Sequence, residues 1–306
     1  MKKNINLLAV IILSITSASY ATGSEYTYKN GMKIKINNNH AELSTKNKIP
    51  TINVNEKDNS GSAHIKYDEF NVGKKGLLFD NKINANIIIN EVVSDSLTRL
   101  SGNITVRGQQ AELLIVNPNG ITCSSCSFTN TSHTHLIAGK AGKYDDLTDP
   151  EISEYESKGK KISIRNMKQN SAEELSLISR NIEIKNSNIK SKNINLKTIR
   201  SSYGDGYKHA SSINIDNKSI IIANEIRVDA YNGTIINNGH LTGNAYSSLN
   251  NISLKNNGHV NGKFAQTYLF GDIYIQGSKS INFEKHEVID GNKNNIFWSG
   301  GKTVIN

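Results

Sequence analysis

Past its N-terminal leader the chain has no apolar run near the roughly 18 to 20 residues a membrane-spanning helix needs, which excludes such a helix from the mature protein. No Lys/Arg cluster sits among stacking aromatics, and the net charge of +9 is interleaved with acidic residues, so the basic balance reads as a solvated surface and nucleic acid is not a partner. No His-Glu-x-x-His, Gly-x-Ser-x-Gly or phosphate-loop pattern occurs, which removes the commonest hydrolase and nucleotide signatures. Only 3 Pro, 1 Trp and 3 Met stand against an abundance of Asn, Ile, Ser and Lys. Asn and Ser favour turns and caps while Ile favours strands, so long helices are excluded too.

What is present begins with a processing segment, residues 1–21. Lys2-Lys3 give a positive start, Leu7 to Leu13 an apolar run, and Ser19-Tyr20-Ala21 a small-x-small cleavage site, with cleavage after Ala21 and Ser19 as the alternative. The mature chain is then exported, and Cys123 and Cys126 meet an oxidising compartment where two nearby thiols form a disulfide by default.

The stretch Leu113 to Phe128, L-L-I-V-N-P-N-G-I-T-C-S-S-C-S-F, organises the rest. Leu113 to Val116 has the length and branching of a buried strand. Pro118 stops the ladder, and Asn117 with Asn119-Gly120 supplies turn chemistry: an amide side chain that bonds the following backbone and a glycine free to take positive φ. By itself this is a tight corner, which the cysteine ring rigidifies.

Around it, residues 22–59 alternate turns with short strands such as Met32 to Ile36 and read as an N-terminal cap. Residues 60–142 are densest in strand signals, each apolar piece ending at Asn, Gly or Asp. Residues 143–161 are charged, either a short helix after Asp149-Pro150 or an excursion from the β body. Residues 162–306 repeat: I-N-N-G-H-L-T-G (Ile236 to Gly243) returns as K-N-N-G-H-V-N-G (Lys255 to Gly262), 19 residues on. Short strands in a period near 20 residues suit one coil of a parallel β-helix, with apolar columns inside, asparagine ladders at corners and capped ends. A β-sandwich of hairpins is the competing fold.

Y-D-E-F-N-V (Tyr67 to Val72), G-L-L-F-D-N (Gly76 to Asn81), I-I-N-E-V (Ile88 to Val92), L-S-G-N-I-T-V-R-G (Leu100 to Gly108), Ala111 to Thr131 and L-S-L-I-S-R-N-I-E-I (Leu175 to Ile184) stand in order along the chain. In these motifs the sequence resembles the N-terminal secretion domain of two-partner secretion exoproteins, the group of filamentous haemagglutinin, calcium-independent haemolysins and contact-dependent inhibition toxins. The family's frequent Asn-Pro-Asn-Leu motif is missing, and the cysteine pair looks like the haemolysin-type variant. The resemblance implies an all-β, right-handed parallel β-helix with an N-terminal β cap and small extra-helical strands or loops. It implies a monomer recognised in the periplasm by an outer-membrane β-barrel transporter through soluble domains, crossing unfolded and folding outside, secreted or at the cell surface. The implied recognition and folding-nucleus residues are Asn117, Pro118, Asn119, Gly120 and Ile121, with Asn90, Glu91 and Val92.

Other chemistries are weaker. Cys123, Cys126, His133 and His135 would have to converge to hold zinc, and a disulfide beside two surface histidines is the simpler reading, so neither metal nor cofactor is expected. A redox role for the cysteines needs a helix start that is not predicted. Glu91 reads as a carboxylate satisfied by Asn or Arg neighbours, and Glu112 as a cross-strand partner of Arg107. Asp145-Asp146 and Glu173-Glu174 raise a polysaccharide enzyme, but neighbours in a strand face opposite sides and no aromatic groove accompanies them, so no enzyme is expected. The alternative function is a freestanding adhesin or carbohydrate-binding β-helix that binds a host cell surface or glycans.

Overall fold

The computed structural model describes residues 24–139, 161–169, 174–198, 210–279, 281–283, 286–288, 296–299 and 304–305. The leader with Ala21, and the segment 143–160 with its Asp149-Pro150 helix reading, lie outside the described residues. Among the described residues every element is a strand, none a helix.

Each short apolar piece pairs with a piece one coil away along the chain, in parallel. Ile88 pairs with Ala63 on one side and Leu113 on the other, and the same column runs on through Thr134, Leu175, Ile194, Ile226 and Ala245. Two further series do the same. One runs from Thr98–Leu100 through Ile121–Ser124, Lys161–Arg165 and Asn181–Lys185 to Ser211–Ile215. The other begins Ile49–Val54, Leu77–Asn81, Asn103–Gly108, Ser127–Thr129. Late in the chain single long strands such as Ile220–Asn237 bend through the corners and serve all three series. This is a three-sided parallel β-helix. The hairpin sandwich is ruled out by register, since the only antiparallel pairings among the described residues involve the N-terminal strands.

Those pairings build the cap. Lys33–Ile36 runs antiparallel along the edge of Ser62–Phe70, Glu25–Thr27 runs antiparallel along Lys33–Ile36 in turn, and Ala41–Lys46 pairs antiparallel with Ile49–Val54. Open strand edges at a solenoid end invite pairing with other chains, and an antiparallel cover removes that template. The Tyr28 hydroxyl donates to Gly76 O at 3.0 Å, tying cap to first coil.

One apolar core runs from Tyr28 to Ile281. Its bulkiest fully buried side chains, Tyr67, Phe70, Phe79 and Phe128, all sit in the early coils, whereas the later columns are mainly Ile, Leu, Val and Ala. The 19-residue repeat is the coil itself: Asn237 pairs with Asn256 and His240 with His259. The expected ladders are present. Asn256 accepts from Asn237 at 2.9 Å, Asn238 from Asn257 at 2.9 Å, and Asn232 from Asn251 at 3.0 Å. Asn232 and Asn251 also take positive φ, a conformation asparagine tolerates better than other side chains.

A smaller buried cluster, Ile89, Leu114, Val116, Ile137 and Ile178, lies on the opposite face of the first series from the core. Strand alternation explains it, since Leu113 and Ile115 point inward and their neighbours outward.

Candidate functional site

The Asn-Pro-Asn-Gly corner joins the strand Ala111–Val116 of the first series to Ile121–Ser124 of the second. Asn117 is fully buried, and its side-chain amide donates to Ser96 O at 2.9 Å and Thr98 Oγ1 at 2.8 Å, both on the preceding coil. Its Oδ1 accepts from the Asn119 backbone N–H at 2.8 Å, and its carbonyl from Gly120 N–H at 3.0 Å. Every polar group of this asparagine is thus used, some in the turn and some across coils. Asn119 donates to Ser94 O at 2.6 Å and, like Pro118, keeps part of its surface in solvent. Gly120 has φ +105°, and a Cβ there would sit 2.9 Å from Lys161 O on the following coil, so glycine is required twice, by conformation and by space. Ile121 is buried and stacks between Thr98 and Ile162.

One coil earlier, Asn90 sits inside the helix. It accepts from the buried Tyr67 hydroxyl at 2.8 Å and donates to Leu114 O at 3.1 Å, replacing an apolar step in the column with a bridge between three coils. Burial pushes the Tyr67 phenol far above its usual range, which keeps it a donor. Val92 is core. Glu91 faces outward and pairs with His64 Nε2 at 2.8 Å, where Asn or Arg was expected. Neither sequence neighbours nor spacing pointed to His64; coil register does, because Lys66 and Glu91 are opposed and His64 lies two residues back on the same face.

Cys123 and Cys126 are bonded to each other and both buried. They do not brace the Asn-Pro-Asn-Gly corner, as anticipated, but the next one, between the second and third series, where Ser125 takes positive φ. The pairing also removes both sulfurs from any zinc set with His133 and His135, which lie on the first series. Those histidines are not simple surface residues. Their rings stack at 3.7 Å, and His135 is almost buried. Glu112 approaches His135, not Arg107; Arg107 belongs to the third series and faces Asp80 in register. Burial and then the charge of His135 push His133 down to about 4. Burial alone would raise Glu112, but the adjacent imidazoles of His135 and His133 outweigh it and hold the carboxyl below its ordinary value.

The family model described as TPS secretion domain matches residues 33–284. The chain belongs to the TPS secretion domain family. Among curated relatives, the tRNA nuclease CdiA of Yersinia mollaretii is 31% identical over 286 residues, 80% of this chain but 9% of that protein. The hemolysin of Proteus mirabilis is 40% identical over 108 residues, 29% of this chain and 7% of its own length. The secretion domain therefore spans under a tenth of these curated relatives. In structure it is similar to the filamentous hemagglutinin secretion domain, with TM-score 0.58 at 16% identity, covering 89% of this chain and 99% of that one. That likeness shows the β-helical fold. The family places this secretion domain in two-partner secretion, a route that exports its substrates through the periplasm to the surface or medium.

Proposed function

We propose that residues 22–306 form one secretion domain recognised by an outer-membrane β-barrel transporter through its periplasmic domains, and that its first coils nucleate the β-helix once outside. The continuous core from Tyr28 to Ile281 supports a single unit, with 22–59 as its cap, 60–142 as the motif-bearing coils and 162–306 as stacked repeats. The leader ending at Ala21 delivers it to the periplasm. The domain works without catalysis or cofactor, as a monomer.

The observation that carries this reading is how the motif asparagines are used. Asn90 and Asn117 are buried and spend their side chains on neighbouring coils, so their role is to hold the nucleus. Pro118, Asn119 and Glu91 keep exposed surface and are the motif residues a transporter domain can touch. The test is capture of the purified chain by the transporter's periplasmic domains. Wild type binds, Asn117→Ala/Asn119→Ala binds less, and Pro118→Ala loses binding without loss of stability. Equal capture of all three would sink recognition at this corner.

A further inference from the structure

We infer that Glu112, His133 and His135 form a binding site for a divalent transition-metal ion of the zinc class on the outer face of the early coils. The three residues come from adjacent coils, and their ligand atoms all lie within 4.8 Å of one another. Tetrahedral zinc, with nitrogen and oxygen ligands at about 2.0–2.2 Å, sets its ligand atoms roughly 3.3 Å apart. To converge on one ion the two rings, stacked at 3.7 Å, rotate out of their face-to-face contact. Two imidazoles and one carboxylate form a donor set that zinc accepts, with one position left open.

Local backbone structure brings the donors together. The register between Ala111–Val116 and Thr131–Ile137 shifts between Ala111 and Leu113, so that an extra residue falls opposite Glu112. Bulges re-aim side chains in this way and cluster near functional sites. His133 lies in the bulge and His135 just beyond it, and the two come onto one face next to Glu112.

The independent sign of a missing ligand is His135. Both its ring nitrogens are buried and neither has a hydrogen-bond partner among the described residues. Glu112 Oε1 lies 2.6 Å from Nε2 as an ion-pair contact, which leaves Nδ1 as the buried nitrogen with nothing opposite it. A buried ring nitrogen left without a hydrogen bond is costly, and buried polar groups are almost always satisfied. An ion between Glu112 and the imidazoles takes up one of the two His135 nitrogens. His133 is already oriented: its Nε2 hydrogen-bonds Ser176 Oγ at 2.7 Å, the outer-shell contact that leaves Nδ1 for a metal. Water, or Glu174, whose Oε2 is 3.5 Å from His133 Nδ1, completes the shell. The site opens onto a polar groove lined by His133, Glu174, Ser176, Asn193 and Arg227, through which an ion enters.

Equilibrium dialysis of the EDTA-treated full chain against zinc chloride, with metal counted by mass spectrometry, tests this. One zinc per chain is expected, with binding weakened at least tenfold in His135→Gln and in Glu112→Gln. His240→Gln/His259→Gln is the control, because that pair also stacks, at 4.8 Å on distant coils, and its loss must leave binding unchanged. Should a variant fail to fold, cobalt(II) added to the wild-type chain decides: the visible d–d bands of a low-coordinate nitrogen and oxygen site support the assignment. Absence of those bands, zinc below one per chain, or full binding in His135→Gln overturns it.

Discussion

Asn117→Ala separates a structural corner from a decorative one. The substitution removes a donor to Ser96 O and Thr98 Oγ1 and an acceptor for the Asn119 N–H. Thr98 is buried, whereas Ser96 and Asn119 reach solvent and regain water. A net loss of about 1 kcal/mol for each of these hydrogen bonds, with about 1 more for leaving the Thr98 hydroxyl unsatisfied, gives roughly 4 kcal/mol. Asn119→Ala loses one partly exposed bond to Ser94 O and costs about 1 kcal/mol.

Urea unfolding measures the sum, and native-state hydrogen exchange shows where it falls. Solenoid stability is carried by contacts between nearest coils, so faster exchange should concentrate at 98–100 and 121–124, the strands flanking the corner, and spare the 240–256 coil. An Asn117→Ala chain within about 0.5 kcal/mol of wild type would refute the reasoning, as would destabilisation spread evenly along the molecule.

Four further outcomes are expected. Gly120→Ala should destabilise by about 2 kcal/mol or more, read by thermal melting, because a Cβ meets both an unfavourable φ and the Lys161 carbonyl. A double-mutant cycle of Tyr67→Phe and Asn90→Ala should give a coupling of about 1–2 kcal/mol, since the buried hydroxyl–amide bond exists only when both are present; additivity would deny the bridge. Glu183, held down to about 2 first by Lys185 and further by Lys161 and Ser163, adds stability that is complete above pH ~4.5 and lost as pH falls towards 2. Glu183→Gln should flatten that part of a pH–stability curve by about 1–2 kcal/mol, less than the full linkage because its lysine partners are half exposed. Reduction of Cys123–Cys126 closes off a four-residue loop constraint worth about 2 kcal/mol by chain entropy, so dithiothreitol should lower the melting temperature without abolishing the fold.

Much of the fold was legible because a β-helix writes its coil length into the sequence. The copies at Ile236 and Lys255 are in direct register, and the Asn-rich corners between apolar pieces are the ladders themselves. What sequence could not supply is the offset between coils where the period is irregular. Early steps are longer, Ser62 to Ile87 to Glu112, and a bulge follows. Glu91 was therefore matched with the wrong partner, Glu112 was given to Arg107, and the two histidines were left on the surface. Each error is one of register, because strand alternation assigns a face but says nothing of which residue on the next coil shares it. The cysteine pair shows the complementary limit: its bonding was readable from spacing and compartment, its corner was not.

The distribution of these features along the solenoid has a physical logic. A new coil in the middle of a β-helix docks on an existing strand edge and needs only to match its neighbour. The first coils have no such template, and parallel pairing demands that some twenty residues of loop be closed before any ladder bond forms. Extra local stabilisation is needed most there, and there it is found: the antiparallel cap, the cluster of Tyr67, Phe70 and Phe79, the Asn90 bridge, the glycine-closed corner at Asn117 and the disulfide all precede residue 130. Later coils replace them with apolar columns and asparagine ladders that function only once a coil is already in place. A chain emerging N-terminus first would thus meet its strongest folding signals first, and each later coil would find its template ready.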